Sequence, residues 1–169
     1  ERADRLAANL LRWQWPDGGW NCDRKTSAHH SSFMESLIPL RALALHGRLR
    51  GCRASAAAAD RAAEIFLKRR LFRRVADGSV MNEDFVKLHY PCYWQYDVLF
   101  GLKVLGEAGR LDDSRCDEAL ELLQSKRLPD GGFPAELRVQ LRADPQHEPA
   151  GRTRGRRRRE RNASSTIHH

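Results

Sequence analysis

The sequence contains no run of about 18 apolar residues, so no segment of it reads as a membrane span. It contains no Cys-x-x-Cys pair, and its four cysteines, Cys22, Cys52, Cys92 and Cys116, stand far apart. At 169 residues the chain is too long, and too helical in pattern, for a disulfide-dense mini-domain. Free thiols in a reducing cytoplasm are therefore the expectation. No signal-peptide pattern is present, and residue 1 is Glu rather than Met, which reads as an excised piece. Strand signals are nearly absent, which leaves an all-α class.

What is present is unevenly distributed. The formal charge is +8. Residues 138–169 hold nine Arg against three acids, a net +6, so residues 1–137 carry only +2. The expected organisation is a folded domain over 1–137 and a disordered Arg-rich tail over 138–169. Such a tail reads first as a solvated end. Nucleic acid is expected as a partner only through it, by arginines gripping phosphates.

Within the domain, helical spacing of apolar residues predicts helices over 3–13, 32–47, 54–74, 93–108 and 113–127. Gly47 and Gly109 are natural stops, and Pro39 is a potential kink. The links 48–53 and 110–112 are short, so the helices on either side should form antiparallel hairpins. Between hairpins lie longer loops, 21–31 and 81–92.

Each longer loop follows the same punctuation. Trp15-Pro16-Asp17-Gly18-Gly19-Trp20 is a tight turn flanked by large rings. Proline presets φ, aspartate bonds the backbone two residues on, and glycine takes positive φ. The tryptophans are not needed for a turn and predict a staple buried between helices. Leu128-Pro129-Asp130-Gly131-Gly132-Phe133 repeats the signal, and Ala76-Asp77-Gly78-Ser79 is a degraded copy. The aspartates at 17, 77 and 130 are spaced by 60 and 53 residues, a period that signals a repeat architecture. Stacked hairpins of this kind build a solenoid or a toroid.

Over residues 3–136 this pattern resembles the terpenoid cyclase and protein prenyltransferase superfamily, with its prenyltransferase and squalene oxidase repeats. Gln14, Asp17, Gly18, Gly19 and Trp20 match that repeat, as do Gln124, Asp130, Gly131, Gly132 and Phe133. The resemblance implies an (α/α) toroid with inner helices around a central cavity. Two full hairpins and a leading helix make a partial ring, and self-association is one way to complete it. The starts of the inner helices would face the cavity, which singles out two stretches. One holds Cys22, Asp23, His29 and His30. The other holds Glu83, Asp84, His89, Tyr90, Cys92, Tyr93, Trp94, Tyr96 and Asp97.

Three chemistries suit those residue types, and each has a plain structural alternative. Cys22, Asp23, His89 and Cys92 are zinc-capable, although the Asp-x-Cys spacing that the resemblance would require is missing; ordinary polar lining explains them as well. Glu83, Asp84 and Asp97 are candidate catalytic acids, since a paired carboxylate can be pushed into the acid role; helix capping explains them as well. The Asp-x-Asp-Asp acid of cyclases is absent. His29, His30, His89, Tyr90, Tyr93, Trp94 and Tyr96 are candidate ligand-binding residues, for aromatic faces can line an isoprenoid cavity or stabilise a carbocation; packing between hairpins explains the rings as well. The functional expectation is a toroid protein of unassigned reaction that binds a small apolar, isoprenoid-type ligand. A non-catalytic scaffold of the same fold, or a helical-toroid lyase or hydrolase taking a sugar, is the alternative.

Overall fold

The structure, a computed structural model, describes residues 1–23, 25 and 27–138. The tail assigned to 138–169 therefore lies outside the described residues except for Arg138. The fold is all-α: α1 (Arg2–Trp13), α2 (Phe33–Arg50), α3 (Arg53–Leu67), α4 (Val98–Glu107) and α5 (Asp117–Ser125). Short 3-10 turns at Glu83–Val86 and Ser114–Cys116 precede α4 and α5. The two-residue strands β1 (His89–Tyr90) and β2 (Leu137–Arg138) pair in parallel, His89 opposite Leu137, an element without a sequence signal.

Helices α2 and α3 form the central hairpin. Only Gly51 and Cys52 separate them, and Gly51 takes the left-handed φ of +61° that the reversal requires. The pair sits close, with the small residues Ala58, Ala59, Ala62 and Ala63 of α3 and Leu40 and Leu43 of α2 all buried. Gly47, expected as the stop of α2, lies inside the helix instead. A Cβ on it would come within 2.9 Å of the Ala56 backbone nitrogen, so the residue is there for helix contact. Helix α2 also runs uninterrupted through Pro39.

Three other helices are shorter than their patterns suggest, α5 covering only Asp117–Ser125 of the expected 113–127 because the chain enters it through a 3-10 turn. Helix α3 ends at Leu67 rather than near 74. Arg70 and Leu71 then adopt positive φ of 43° and 68°. Leu71 is fully buried and its carbonyl accepts the Tyr96 hydroxyl at 2.7 Å, so burial holds a backbone that costs energy for a non-glycine residue. Helix α4 begins at Val98 rather than 93, because Asp97 caps it, its carboxylate accepting the Phe100 N–H at 2.8 Å.

Ion pairs tie each hairpin to the next. Arg115 forks onto Glu64 of α3 with two bonds of 2.9 Å, and Arg110 reaches Asp60 at 2.6 Å. On the other layer Arg41 of α2 grips Glu107 of α4. The core beneath them is an aromatic cluster of Phe33, Phe66, Phe85 and Tyr96, with ring centres 4.6 to 5.8 Å apart.

Candidate functional site: the glycine turns and the two loops behind them

The three Asp-Gly segments are one turn built three times. In the first, the Trp15 N–H donates to the Gly19 carbonyl (2.8 Å) and the Gly18 N–H to the Trp15 carbonyl (2.9 Å). In the third, the Leu128 N–H donates to Gly132 (2.9 Å) and the Gly131 N–H to Leu128 (2.9 Å). The second is one residue longer: the Arg74 N–H meets the Ser79 carbonyl and the Gly78 N–H meets that of Arg74. In every copy the aspartate accepts from the backbone N–H two residues on, at Gly19, Ser79 and Gly132. The glycine after it has positive φ, 103° at Gly18, 70° at Gly78 and 86° at Gly131.

The copies differ in what packs on them. The first is locked onto α3. Gln14 donates to the carbonyls of Gly18 (2.7 Å) and Ala58 (2.8 Å), and Arg61 closes onto the same amide. Trp20 is 7% exposed; its indole N–H donates to the Leu10 carbonyl at 3.0 Å, and its own N–H meets Ser36 Oγ at 2.9 Å. The Asp17 carboxylate reaches forward to the Ser31 N–H (2.7 Å) and hydroxyl (2.5 Å), joining the turn to the start of α2. Burial pushes that carboxyl up, but the bonds from Ser31 and Gly19 outweigh it and leave it below its ordinary value. In the third copy Phe133 is 39% exposed and Leu128 41%.

The loop behind the first turn does not gather its candidates into one site. The Cys22 thiol bonds the Glu35 carboxylate, and this pushes the thiol up, away from a reactive thiolate. Asp23 turns back on its own loop, accepting the Lys25 N–H at 3.0 Å. His29 and His30 are exposed and lie against each other, ring centres 4.2 Å apart and planes tilted by 54°. His29 also lines an open cleft with Trp13 and Trp15.

The loop behind the second turn is more organised. Glu83 and Asp84 are exposed on a 3-10 turn that Asn82 caps, and Asp84 pairs with Lys87 at 3.1 Å. Asp97 is 1% exposed and accepts the His89 N–H at 2.7 Å as well as capping α4. Both of its oxygens thus hold the backbone, so Asp97 fixes the loop. The His89 side chain is buried, with Nδ1 3.4 Å from Asp97 and no hydrogen-bond partner; Gln95 Oε1 is buried and unpartnered too. Burial pushes the Cys92 thiol up to about 11, which keeps it protonated. Tyr96 is 1% exposed within the aromatic core, so it is a packing residue with no surface to offer a ligand. Tyr90, Tyr93 and Trp94 point the other way, 70%, 48% and 67% exposed. Glu136 braces this loop from the segment after the third turn, accepting the Leu88 N–H at 2.8 Å and pairing with Lys126.

Among the described residues, no group of three or more His, Cys, Asp or Glu side chains converges to hold a metal ion, so the zinc candidates Cys22, Asp23, His89 and Cys92 are not brought together as a set. Sequence reasoning missed Glu35, which engages Cys22, and gave no role to Gln95. No spacing signal marks either, because both act through the folded loop. Comparison of the chain with protein-family models, curated proteins and solved structures finds no match.

Proposed function

We propose that this chain is a helical-hairpin repeat module of the terpenoid cyclase and prenyltransferase kind that binds an apolar, isoprenoid-type ligand without acting on it. The observation that carries the reading is the loop before α4. Tyr90, Tyr93 and Trp94 expose three aromatic faces on a backbone braced by Asp97 and Glu136. Exposed rings on a rigid support suit an apolar chain. Binding is favoured over catalysis by the state of the acids. Asp97 is committed to the backbone, Glu83 and Asp84 face solvent, and the Cys22 and Cys92 thiols are held protonated. The threefold turn supports the toroid-type scaffold on which such loops share one end.

Titration with farnesol, followed by tryptophan fluorescence, tests the reading. Saturable quenching that Trp94→Ala removes is the expected result. Quenching that persists unchanged in that variant, or no saturable change, refutes it. Saturable quenching by a soluble oligosaccharide instead would move the site to the sugar-binding alternative.

A further inference from the structure

The segment between α3 and the second glycine turn, Lys68-Arg69-Arg70-Leu71-Phe72-Arg73-Arg74, carries five cations in seven residues. Leu71 and Phe72 are buried and anchor it to the core. Lys68, Arg70, Arg73 and Arg74 instead line an open cleft of about 550 Å³, together with Gly78 and with Glu118 of α5. Glu118 is the one carboxylate among the described residues that line it. The Glu64 carboxylate near Lys68 is taken by Arg115, and Asp77, near Arg74, holds Ser79 of its own turn. Four cations therefore face a single acid. The cleft shares no residue with the aromatic loop before α4, so it stands apart from the ligand reading above.

Two features separate this cleft from an ordinary solvated basic surface. Two of its guanidinium groups are held in place. Arg73 donates to Glu118 at 2.8 Å and to the Gly78 carbonyl at 3.2 Å, and Arg74 donates to the Met81 carbonyl at 3.2 Å. A guanidinium has five N–H donors, so both keep donors for a further acceptor. The second feature is Arg70. Its φ of 43° is one that glycine takes without strain, yet the position keeps a long charged side chain. That side chain is 62% exposed and 3.8 Å from Glu118, beyond a hydrogen bond. Burial accounts for positive φ at Leu71, but no packing accounts for it at Arg70. Backbone strain held at an exposed cation points to a role for its charge. We propose that the cleft binds the terminal phosphate of a small soluble phosphomonoester, with Arg73 and Arg74 as its fixed donors and Lys68 and Arg70 as its free cations. Such a phosphate offers nearly two negative charges and three acceptor oxygens at neutral pH, and arginine forks match those oxygens. The confined volume is that of a small-ligand pocket, whereas a nucleic-acid strand needs a longer basic track.

The test is isothermal titration calorimetry of the whole chain with glycerol 3-phosphate, at about 0.1 M sodium chloride to screen diffuse attraction. Saturable binding is expected, with a dissociation constant on the order of 1 mM or tighter. The pair Lys68→Gln and Arg70→Gly should weaken it roughly tenfold or more, through lost charge-assisted bonds. The same pair should leave the thermal midpoint unchanged or raised, because glycine relieves the positive φ. The pair Arg2→Gln and Arg5→Gln, on exposed positions of α1, removes the same charge and should bind as the parent does. Absence of saturable heat up to about 10 mM overturns the proposal. So does equal weakening by both pairs, which would mean diffuse charge rather than a site. So does binding of a single-stranded oligonucleotide without a terminal phosphate, dependent on Lys68 and Arg70, where glycerol 3-phosphate does not bind.

Discussion

Replacing Trp20 by Ala tests the first turn most directly. A tryptophan buries roughly 200 Å², and Trp20 is only 7% exposed. At about 25 cal/mol per Å² that burial is worth near 5 kcal/mol. The figure is an upper bound, since the unfolded chain hides part of the ring and alanine keeps a methyl group. The indole N–H bond to Leu10 (3.0 Å) contributes about 1 kcal/mol more. The expected loss for Trp20→Ala is therefore about 3–5 kcal/mol, and for Trp20→Phe about 1–2 kcal/mol. The internal control is Phe133, which holds the same place in the third turn but is 39% exposed. Phe133→Ala should cost under about 1 kcal/mol. Urea unfolding followed by far-UV circular dichroism measures all three. Equal costs at positions 20 and 133, or a Trp20→Ala loss below about 1 kcal/mol, would refute the staple.

The glycines of the same turns should show the same asymmetry. A Cβ on Gly19 would lie 2.4 Å from Ile65 Cδ1 and 2.5 Å from Ser36 Oγ, so Gly19→Ala should cost about 1–3 kcal/mol by urea unfolding. On Gly132 the nearest atom is Asp130 Oδ1 at 3.2 Å, and Gly132→Ala should cost less. Asp17 titrates below its ordinary value in the fold, so its stabilisation is present above about pH 4 and is lost as pH falls through the folded value. Asp17→Asn should therefore flatten the acid limb of the stability profile and leave little change near pH 7 that depends on pH; an unchanged acid limb would show that the Ser31 bonds do not matter. Asp97→Ala removes a buried carboxylate from two backbone N–H groups and should cost about 2–3 kcal/mol in chemical denaturation. If the loss stays within about 0.5 kcal/mol, the loop before α4 is not braced through Asp97.

Much of this architecture is legible from local chemistry. Periodic leucines and alanines place the five helices, and Pro-Asp-Gly-Gly places the turns, because both signals act over a few residues. The errors fall where distant contacts override local preference. The basic pattern after Leu67 continues as a helix on paper, but burying Leu71 and seating the Tyr96 hydroxyl on its carbonyl turns the chain back. Gly47 has the local character of a stop, yet its missing side chain serves contact with Ala56. Tyr96 looks like a pocket residue beside Tyr90, Tyr93 and Trp94, and nothing in the spacing says that one ring turns inward while three stay out. Asp97 is legible as a helix cap, but its second bond to the His89 N–H depends on how the loop closes.

The asymmetry among the turns follows from how a stack is made. A turn is completed by a helix that comes later in the chain. The first is closed by α3, through Gln14, Arg61 and the tight approach of Gly19 to Ile65. The second is approached by α5, whose Glu118 takes Arg73 at 2.8 Å. The third has the same hydrogen bonds and the same glycine geometry, but its flanking Leu128 and Phe133 stay partly exposed. The turn motif therefore specifies a conformation by itself and gains most of its stability only from the neighbour that buries it. That separation explains why the sequence of the third copy can match the first so closely while its energetic role differs. It also explains why the middle copy can drift furthest in sequence. Once Arg73 and Glu118 hold its flank, Asp77 and Gly78 are enough to keep the backbone in register.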